Sequence, residues 1–290
     1  MKIQPQVQIQ ASPFLKWFGG KSQLLDTFES YFPRSFCRYY EPFVGGGAVF
    51  FHLAAKNLVQ ESILSDSNTN LINCYQVIRD RIDDLIASLR QFRRHSNDKA
   101  FFYQARRRFN QINLESRTEE DVEKAALLVF LNRTCFGGLY RVNRTNEFNV
   151  PWGRYKNPRI LDERNLRAVN VVLNHSGVQL KTGDYTEILS SARRHDFVYL
   201  DPPYQPVSPT SSFTSYTGNR FGAKDQVRLA KMFHELDSTG CFTMLSNSPT
   251  AEPLYQGHEY RVVRVKAVRA STNSIGAKRG PTDEILVMNY

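Results

Sequence analysis

Cysteine is scarce in this sequence, which has four cysteines in 290 residues. They are scattered, no two form a CxxC pair, and no histidine cluster lies near them. This pattern argues against a disulfide framework and a zinc site, and it is typical of a protein from a reducing compartment. We therefore expect a cytoplasmic protein without a bound metal. The cysteines are Cys37, Cys74, Cys135 and Cys241.

Long hydrophobic runs are also missing. No apolar run approaches the roughly 20 residues that span a bilayer, and residues 1–11 are polar and rich in glutamine, unlike a signal peptide. The sequence predicts a soluble protein with no membrane partner. Since 41% of the residues are hydrophobic, the chain can form one large core or two unequal domains.

Acidic residues are too few to balance the basic ones. Asp and Glu number 28 against 38 Lys and Arg, so the formal net charge is +10. Such a surplus favours a polyanionic partner, most often nucleic acid, although a basic surface can also serve solubility alone. The strongly basic segment 79–110 is predicted to be helical. Its arginines fit either a solvated helix face or contacts with phosphates.

Neither the GxGxxG nor the GxxxxGK[ST] nucleotide motif occurs, but other glycine-rich turns do. The segment 39–51 reads as a strand, three glycines and a helix, and the next strand, 62–66, ends in Asp66. An acid about twenty residues after such a turn has the spacing of a ribose-binding carboxylate. A methyl donor such as S-adenosylmethionine fits this pattern as well as NAD does. Upstream, Gly19-Gly20 allows close approach of a ligand, and Lys21 can hold an anionic group. A turn followed by a helix cap would explain these residues equally well.

The apolar run Phe197–Leu200 predicts a buried strand that ends in the stiff turn Asp201-Pro202-Pro203-Tyr204. The carboxyl edge of an open α/β sheet is where ligands bind. The prolines have no N–H, so the neighbouring carbonyls are not committed to a strand ladder. The Asp201 carboxylate and the Pro202 carbonyl can accept hydrogen bonds from an exocyclic amine, while the Tyr204 ring stacks on the base. A packed proline turn would also explain these residues.

The segment 132–158 departs from the helical pattern. Arg144-Thr145-Asn146 separates two alternating runs, which predicts a β-hairpin with an exposed tip. The segment contains basic, aromatic and asparagine residues, the types that read base edges and stack on bases. An irregular lid with solvated arginines would have a similar composition. Farther along, the polar segment 208–222 is typical of a mobile flap beside a site.

In their order along the chain, these motifs resemble the Dam-like DNA adenine-N6 methyltransferases of the DPPY or D12 class. The resemblance covers nearly the whole chain. It implies an α/β fold, in which a Rossmann-like methyltransferase core carries an inserted, mainly helical target-recognition domain with a β-hairpin. The implied catalytic domain is 1–78 with 160–290, and the implied recognition domain is 79–159. The motifs are FLKWFGGK, EPFVGGGAVFF, Asp66 with its helix, CFGGLYRVN, EFNVPWGRY, YLDPPY, LSNS and EILVMNY.

The resemblance implies S-adenosyl-L-methionine as the methyl donor and double-stranded DNA as the partner. It implies no obligate protein partner, and we expect a monomer. The implied reaction is direct transfer to N6 of an adenine flipped out of the duplex, which depends largely on positioning. The implied catalytic residues are Asp201, Pro202, Pro203 and Tyr204. The implied donor-binding residues are Trp17, Lys21, Phe43, Gly45, Asp66, Asp184, Tyr185 and Asp201.

The resemblance further implies a GATC target. Arg141 is the best candidate for a guanine contact, because its guanidinium fits O6 and N7 in the major groove. Gly137 departs from the family, which commonly has asparagine beside an intercalating aromatic residue, here Phe136. A polar partner for the orphaned base would then be lost. The implied DNA-binding residues are Lys16, Phe136, Gly137, Leu139, Arg141, Asn143, Arg144 and Pro151.

Two alternatives remain open at this point. The same fold could act on another adenine-containing site, or on N4 of cytosine. The chain could instead be a DNA-binding protein with a vestigial donor site. The presence of Lys21, Asp66 and a complete Asp-Pro-Pro-Tyr turn argues against the second alternative, since a protein without chemistry would have no need of them.

Overall fold

The computed structural model describes residues 10–114, 119–175, 177–204, 221–267 and 282–290. Of the predicted flap, only Phe221 and Gly222 are among them, and the rest of that prediction lies outside the described residues. Within the described part of the chain, no helix is both long and apolar enough to cross a membrane.

A seven-stranded sheet forms the centre of the molecule, in the order β3-β2-β1-β4-β5-β7-β6. The first five strands in this order are parallel, whereas β7 is antiparallel to both of its neighbours. The predicted α/β fold with a Rossmann-like core is thereby confirmed. The strands are β1 (Arg38–Glu41), β2 (Glu61–Asp66), β3 (Val178–Thr182), β4 (Phe197–Leu200), β5 (Phe242–Asn247), β6 (Arg261–Ala267) and β7 (Thr282–Met288).

The strand order reverses between β1 and β4. The chain moves outward from β1 through β2 to β3 and then returns to β4 on the other side of β1. A parallel sheet has a crevice outside its carboxyl edge at such a switch point. All four residues of β4 are buried, as expected of a central strand covered on both faces. The loops that follow β1 and β4 therefore define the place for a ligand.

The helices cover the sheet and build a layer beside it. Side-chain caps begin several of them: Asn68 accepts a hydrogen bond from the Leu71 N–H, and Asp98 accepts one from the Phe101 N–H. The helices are α1 (Leu25–Phe28), α2 (Ala48–Ala55), α3 (Thr69–Asp80), α4 (Ile82–Arg93), α5 (Lys99–Gln111), α6 (Glu119–Thr134), α7 (Glu163–Leu173) and α8 (Ala223–Thr239).

Helix α6 is the centre of the helical layer. It packs against α3, α4 and α5, and most of its residues from Val122 onward are buried. A helix surrounded by other helices needs no polar face, so its sequence shows little amphipathic pattern. The buried residues of α4, α5 and α6 belong to the same hydrophobic cluster as Tyr39 of β1 and Tyr199 of β4. The helical layer and the sheet thus share one core.

Candidate active site

The glycine-rich loop after β1 lies against the end of β2. Gly45 has a φ of +47°, a backbone conformation that favours glycine. Its N–H donates to Asp66 Oδ2 at 3.2 Å, and its carbonyl accepts from the Tyr75 hydroxyl at 3.0 Å. The other Asp66 oxygen accepts from the Asn68 N–H at 2.9 Å. The structure thereby brings together the glycine turn and the acid that the sequence pattern linked.

Asp66 has a perturbed acidity. Burial raises the pKa of its carboxyl group to about 6, although the hydrogen bonds from the backbone of Asn68 and Gly45 lower it. The carboxylate is therefore mostly ionised at neutral pH. A group of this kind at the end of β2 can accept hydrogen bonds from the hydroxyl groups of a ligand.

The segment before α1 connects the glycine loop with the turn after β4. Lys21 is buried, with 4% of its side chain exposed, and its Nζ lies 2.6 and 2.7 Å from the two carboxylate oxygens of Asp201. The same ammonium donates to the Gly19 carbonyl at 2.7 Å. Trp17 stacks on Tyr140, with ring centres 5.5 Å apart. The sequence identified both Lys21 and Asp201 but gave no sign that they form an ion pair.

The Asp201–Tyr204 turn is held by three other elements. The Tyr204 hydroxyl donates to Glu284 Oε2 on β7 at 2.8 Å. Gln226 of α8 donates from Nε2 to the Pro203 carbonyl at 3.4 Å, and Asn247 at the end of β5 donates to Gln226 Oε1 at 2.9 Å. Burial, followed by the charges of Asp201 and Glu284, raises the pKa of Tyr204 well above its ordinary value. The Tyr204 hydroxyl therefore stays protonated and acts as a donor.

Glu41, the last residue of β1, is a second carboxyl group beside the site. It is 3% exposed and accepts hydrogen bonds from the Tyr39 hydroxyl at 2.8 Å and the Phe50 N–H at 3.2 Å. Burial raises its pKa to about 8, and the charge of Asp201 acts in the same direction. Glu41 is therefore mostly neutral at pH 7. Sequence reasoning did not single it out, although an acid directly before Pro-Phe at a strand end was a usable signal.

An aromatic group lies next to the glycine loop. The rings of Phe43 and Tyr185 are 5.0 Å apart with an angle of 29° between their planes, and Phe221 meets Phe43 edge-on at 6.1 Å. Asp184, which precedes Tyr185, caps a short 3₁₀ helix and forms an ion pair with Arg228 at 2.7 Å. Of the two residues predicted to flank a ligand base here, Tyr185 offers a ring, while Asp184 is engaged by Arg228.

The predicted hairpin is present, but as two isolated bridges rather than a continuous ladder. The bridges join Val142 to Phe148 and Cys135 to Trp152. The turn is closed by the Asn143 side chain, whose Oδ1 accepts from the backbone N–H groups of Thr145 at 3.0 Å and Glu147 at 2.9 Å. Asn143 thus shapes the tip, where Arg144 is exposed.

The predicted DNA-binding residues differ in their exposure. Phe136 is 46% exposed, and its neighbour Gly137 has a φ of +67°. Leu139 is 8% exposed and packs in the core, so its role in DNA binding stays a prediction. Arg141 is half-buried, and its Nε donates to Asn149 Oδ1 at 2.7 Å. Pro151 is exposed.

Lys16 lies at one end of this region. Its Nζ is 5.1 Å from the centre of the Tyr155 ring, and the Tyr155 hydroxyl accepts from the Gly137 N–H at 3.1 Å. These two contacts tie the segment before α1 to the hairpin. Lys16 also lines a cavity of about 330 Å³ together with Arg133, Tyr155, Lys156, Asn157, Pro158 and Arg159. The surface beside the hairpin is thus strongly basic.

Several arginines of the basic helices pair with acidic side chains. Arg90 contacts Glu163 at 2.7 Å, and Arg108 contacts Glu120 at 2.9 Å and Glu123 at 2.6 Å. For these two arginines the solvated, ion-paired helix face is therefore the better interpretation.

Comparisons with known proteins agree with this geometry. The family model of the D12 class N6 adenine-specific DNA methyltransferases matches residues 17–271. The chain is 41% identical to the type II methyltransferase M1.LlaDCHI of Lactococcus lactis subsp. cremoris, with 100% of this chain and 99% of the relative covered. It is 40% identical to the type II methyltransferase M.MjaIII of Methanocaldococcus jannaschii (97% and 100% covered). It is 34% identical to the DNA adenine methylase of Salmonella typhi (95% and 94% covered).

Proposed function

This chain belongs to the D12 class N6 adenine-specific DNA methyltransferases and methylates adenine in DNA, and from that premise we propose that its donor is S-adenosylmethionine and its target the adenine of GATC in double-stranded DNA. The observation that carries the proposal is the contact between Lys21 and Asp201. It joins the segment beside the glycine loop to the Asp-Pro-Pro-Tyr turn, so that a donor site and an acceptor site would share one edge of the sheet.

The residues around the glycine loop fit this donor chemically. S-adenosylmethionine has an aromatic base, a ribose with two hydroxyl groups and an amino acid end that carries one charge of each sign. The rings of Phe43 and Tyr185 suit the base, and the ionised Asp66 suits the hydroxyl groups. Lys21 and Asp201 present a cation and an anion side by side, which suits the amino acid end. When bound, the donor would supply an electrophilic methyl group.

The turn after β4 would orient the acceptor. The Asp201 carboxylate and the Pro202 carbonyl would accept hydrogen bonds from the N6 amine, and the Tyr204 ring would stack on the flipped adenine. Both acceptors draw the amine hydrogens to one side, which directs the nitrogen lone pair at the methyl group. No strong base is required, because holding the reactants in line supplies much of the acceleration. The N6–methyl bond would form as the donor's methyl–sulfur bond breaks with its electron pair left on sulfur, and the excess N6 proton would leave to solvent.

Two ionisable groups, Lys21 and Glu41, lie beside this turn. The Lys21 ammonium contacts both carboxylate oxygens of Asp201. Glu41, which is mostly neutral at pH 7, adds little negative charge beside it. Glu41 is held by Tyr39 and Phe50, so Asp201 would be the carboxyl group that accepts from the amine.

The proposal is tested by methyl transfer from labelled S-adenosylmethionine to duplexes with a single GATC. Matched duplexes would replace the adenine, or one flanking guanine, and leave the remainder unchanged. We expect transfer only to the intact site. Equal transfer to a duplex with an altered guanine would refute GATC as the target but leave adenine methylation in place. Donor identity is tested separately, by titrating S-adenosylmethionine into the DNA-free protein.

Arg141→Ala is expected to relax specificity at one guanine. Asn149 holds Nε of Arg141 and so fixes the guanidinium plane, which a two-point contact with guanine requires. Losing this contact should cost about 1–3 kcal/mol at that base pair and little at the others. The measurement is the rate of transfer to the GATC duplex and to each singly altered duplex.

A matched control for this variant is Arg264→Ala. Arg264 lies on β6, is exposed and pairs with Glu252 at 2.7 Å. The substitution Arg264→Ala should leave the order of preference among the duplexes unchanged. If Arg141→Ala weakens transfer to every duplex by the same factor, Arg141 contacts a phosphate instead of a base.

A further inference from the structure

Glu284 is an acidic residue in a buried strand, where it begins the EILVMNY motif, and the sequence assigned it no role. It is 3% exposed and directly precedes the apolar run Ile285–Met288 of β7. In the sheet, Ile285 pairs with Asn247, the last residue of β5. Glu284 therefore lies at the carboxyl edge, beside the proposed acceptor site. A buried carboxyl group needs hydrogen-bond partners, and one of its partners is the Tyr204 hydroxyl at 2.8 Å.

We propose that Glu284 is a positioning residue that fixes the Tyr204 ring as the stacking platform for the flipped adenine. This inference rests on the proposed role of Tyr204 and adds a residue some eighty positions away to the adenine site. Glu284 would not contact the base itself. It would act through the Tyr204 hydroxyl.

The geometry supports a fixed ring. Tyr204 is attached to the backbone directly after two prolines, whose φ angles are restricted. At its other end the hydroxyl is held by Glu284, so the ring is restrained at both ends. Breaking this hydrogen bond would leave buried polar groups unsatisfied, which costs free energy, so the contact is expected to persist. A platform that is ordered before the base arrives saves the entropy of ordering it on binding.

The ring also has the right orientation. Lys21 Nζ lies over the Tyr204 ring, 5.1 Å from its centre, and the same ammonium contacts Asp201 at 2.6 Å. The face of the ring, rather than its edge, is therefore turned towards the ion pair. A base stacked on this face beside the Lys21 ammonium would bring its amine close to the Asp201 carboxylate, where the proposed function requires it.

The test compares Glu284→Ala, Glu284→Gln, Tyr204→Phe and the double variant Glu284→Ala with Tyr204→Phe. Two quantities are measured: the single-turnover rate of transfer, and the fluorescence of 2-aminopurine placed at the target adenine, which reports flipping. We expect Glu284→Ala to lower the rate by about tenfold to a hundredfold, the size expected when a buried hydroxyl loses its acceptor. Glu284→Gln should recover most of the rate, because its amide oxygen still accepts from Tyr204.

The double variant separates positioning from a general structural role. If Glu284 acts through the hydroxyl, Tyr204→Phe should lose as much as Glu284→Ala, and the double variant should lose no more than either single one. Losses that multiply in the double variant would overturn the inference. Should Glu284→Ala fail to fold, an unchanged rate in Tyr204→Phe would overturn the inference equally.

Tyr260→Phe is the matched control. The native Tyr260 hydroxyl donates to Asp237 Oδ2 at 3.0 Å, and Tyr260 lies just before β6, at the opposite edge of the sheet. The control should change stability but not the rate or the fluorescence.

Tyr204→Ala distinguishes the proposed role of Tyr204 from that of Glu284. If Tyr204→Ala leaves flipping and transfer unchanged, the proposed role of Tyr204 is wrong. If it abolishes them while Glu284→Ala does not, only the role of Glu284 is wrong.

Discussion

Asp201→Ala is expected to abolish methyl transfer while DNA affinity stays largely intact. In the proposed reaction Asp201 accepts a hydrogen bond from the N6 amine, and the nearby carboxyl group of Glu41 cannot replace it, because Glu41 is held by Tyr39 and Phe50. Loss of one preorganised electrostatic contact at a reacting centre typically costs on the order of 10²–10³-fold in rate. Here the direction of the nitrogen lone pair would be lost as well, so we expect the upper end of this range or more. Single-turnover transfer and DNA binding are the two measurements.

The substitution also affects Lys21, which would remain buried without its carboxylate partner. Breaking such a pair from one side is destabilising. The melting temperature of the variant must therefore be measured together with its rate. Asp201→Asn, which keeps the volume of the side chain, should show the same loss of rate with a smaller loss of stability. Wild-type turnover in a folded Asp201 variant would refute the catalytic role.

Asp196→Asn is the matched control on the same strand. Asp196 precedes β4 at its other end and pairs with Arg38 at 2.7 Å, with 1% of its side chain exposed. It thus repeats the chemistry of a buried Asp with a basic partner, but at the amino edge. We expect Asp196→Asn to lower the melting temperature and to leave transfer per folded molecule unchanged.

The main elements of the site could be predicted because each depends on local sequence. The run Phe197–Leu200 is apolar and ends at two prolines, and the structure has β4 with these same bounds. Gly45 follows β1 and Asp66 ends the neighbouring parallel strand β2, so their meeting at one edge follows from the fold. Local patterns of this kind determine where strands end, and the ends of parallel strands converge.

The pairing of side chains across the chain could not be predicted in the same way. Lys21 and Asp201 are separated by 180 positions, and Tyr204 and Glu284 by 80. Contacts at such separations depend on the strand order, in particular on the reversed β7 beside β5. Composition and spacing carry no information about this order. The pairing within the hairpin was also not predictable in detail. Its alternating runs predicted a ladder, whereas the structure forms two separate bridges.

The backbone conformation of Gly137 shows which consequence the missing asparagine has. Its φ of +67° lies in the left-handed region, which glycine adopts readily and which asparagine tolerates better than most residues. Asparagine, the common residue at this position in the family, would therefore suit the same turn. Glycine in place of asparagine at position 137 therefore removes a polar side chain next to Phe136 but leaves the backbone conformation of the turn the same. Any change in target preference would thus arise from the missing amide.

Gly45→Ala is expected to weaken donor binding by about 100-fold, equivalent to ~2.7 kcal/mol. A Cβ at this position would lie 2.7 Å from Cδ1 of the Trp17 ring, and the φ of +47° adds a backbone penalty of roughly 1–2 kcal/mol. Trp17 cannot retreat without disturbing its stack on Tyr140. If the loop moves instead, the contact between Gly45 and Asp66 is lost. Either shift displaces a proposed donor-binding residue.

The control for Gly45→Ala separates backbone strain from the steric contact. Gly257 has a φ of +87°, and a Cβ there would meet no described atom within 4 Å. Gly257→Ala thus carries a comparable backbone penalty far from the donor site, and it should lower stability without changing donor affinity. Titration of S-adenosylmethionine by calorimetry, with the ligand-induced rise in melting temperature as a second measure, compares the two variants. Equal donor affinity in both would mean that the glycine loop does not form the donor site, and the donor would then have to bind at another part of the sheet edge.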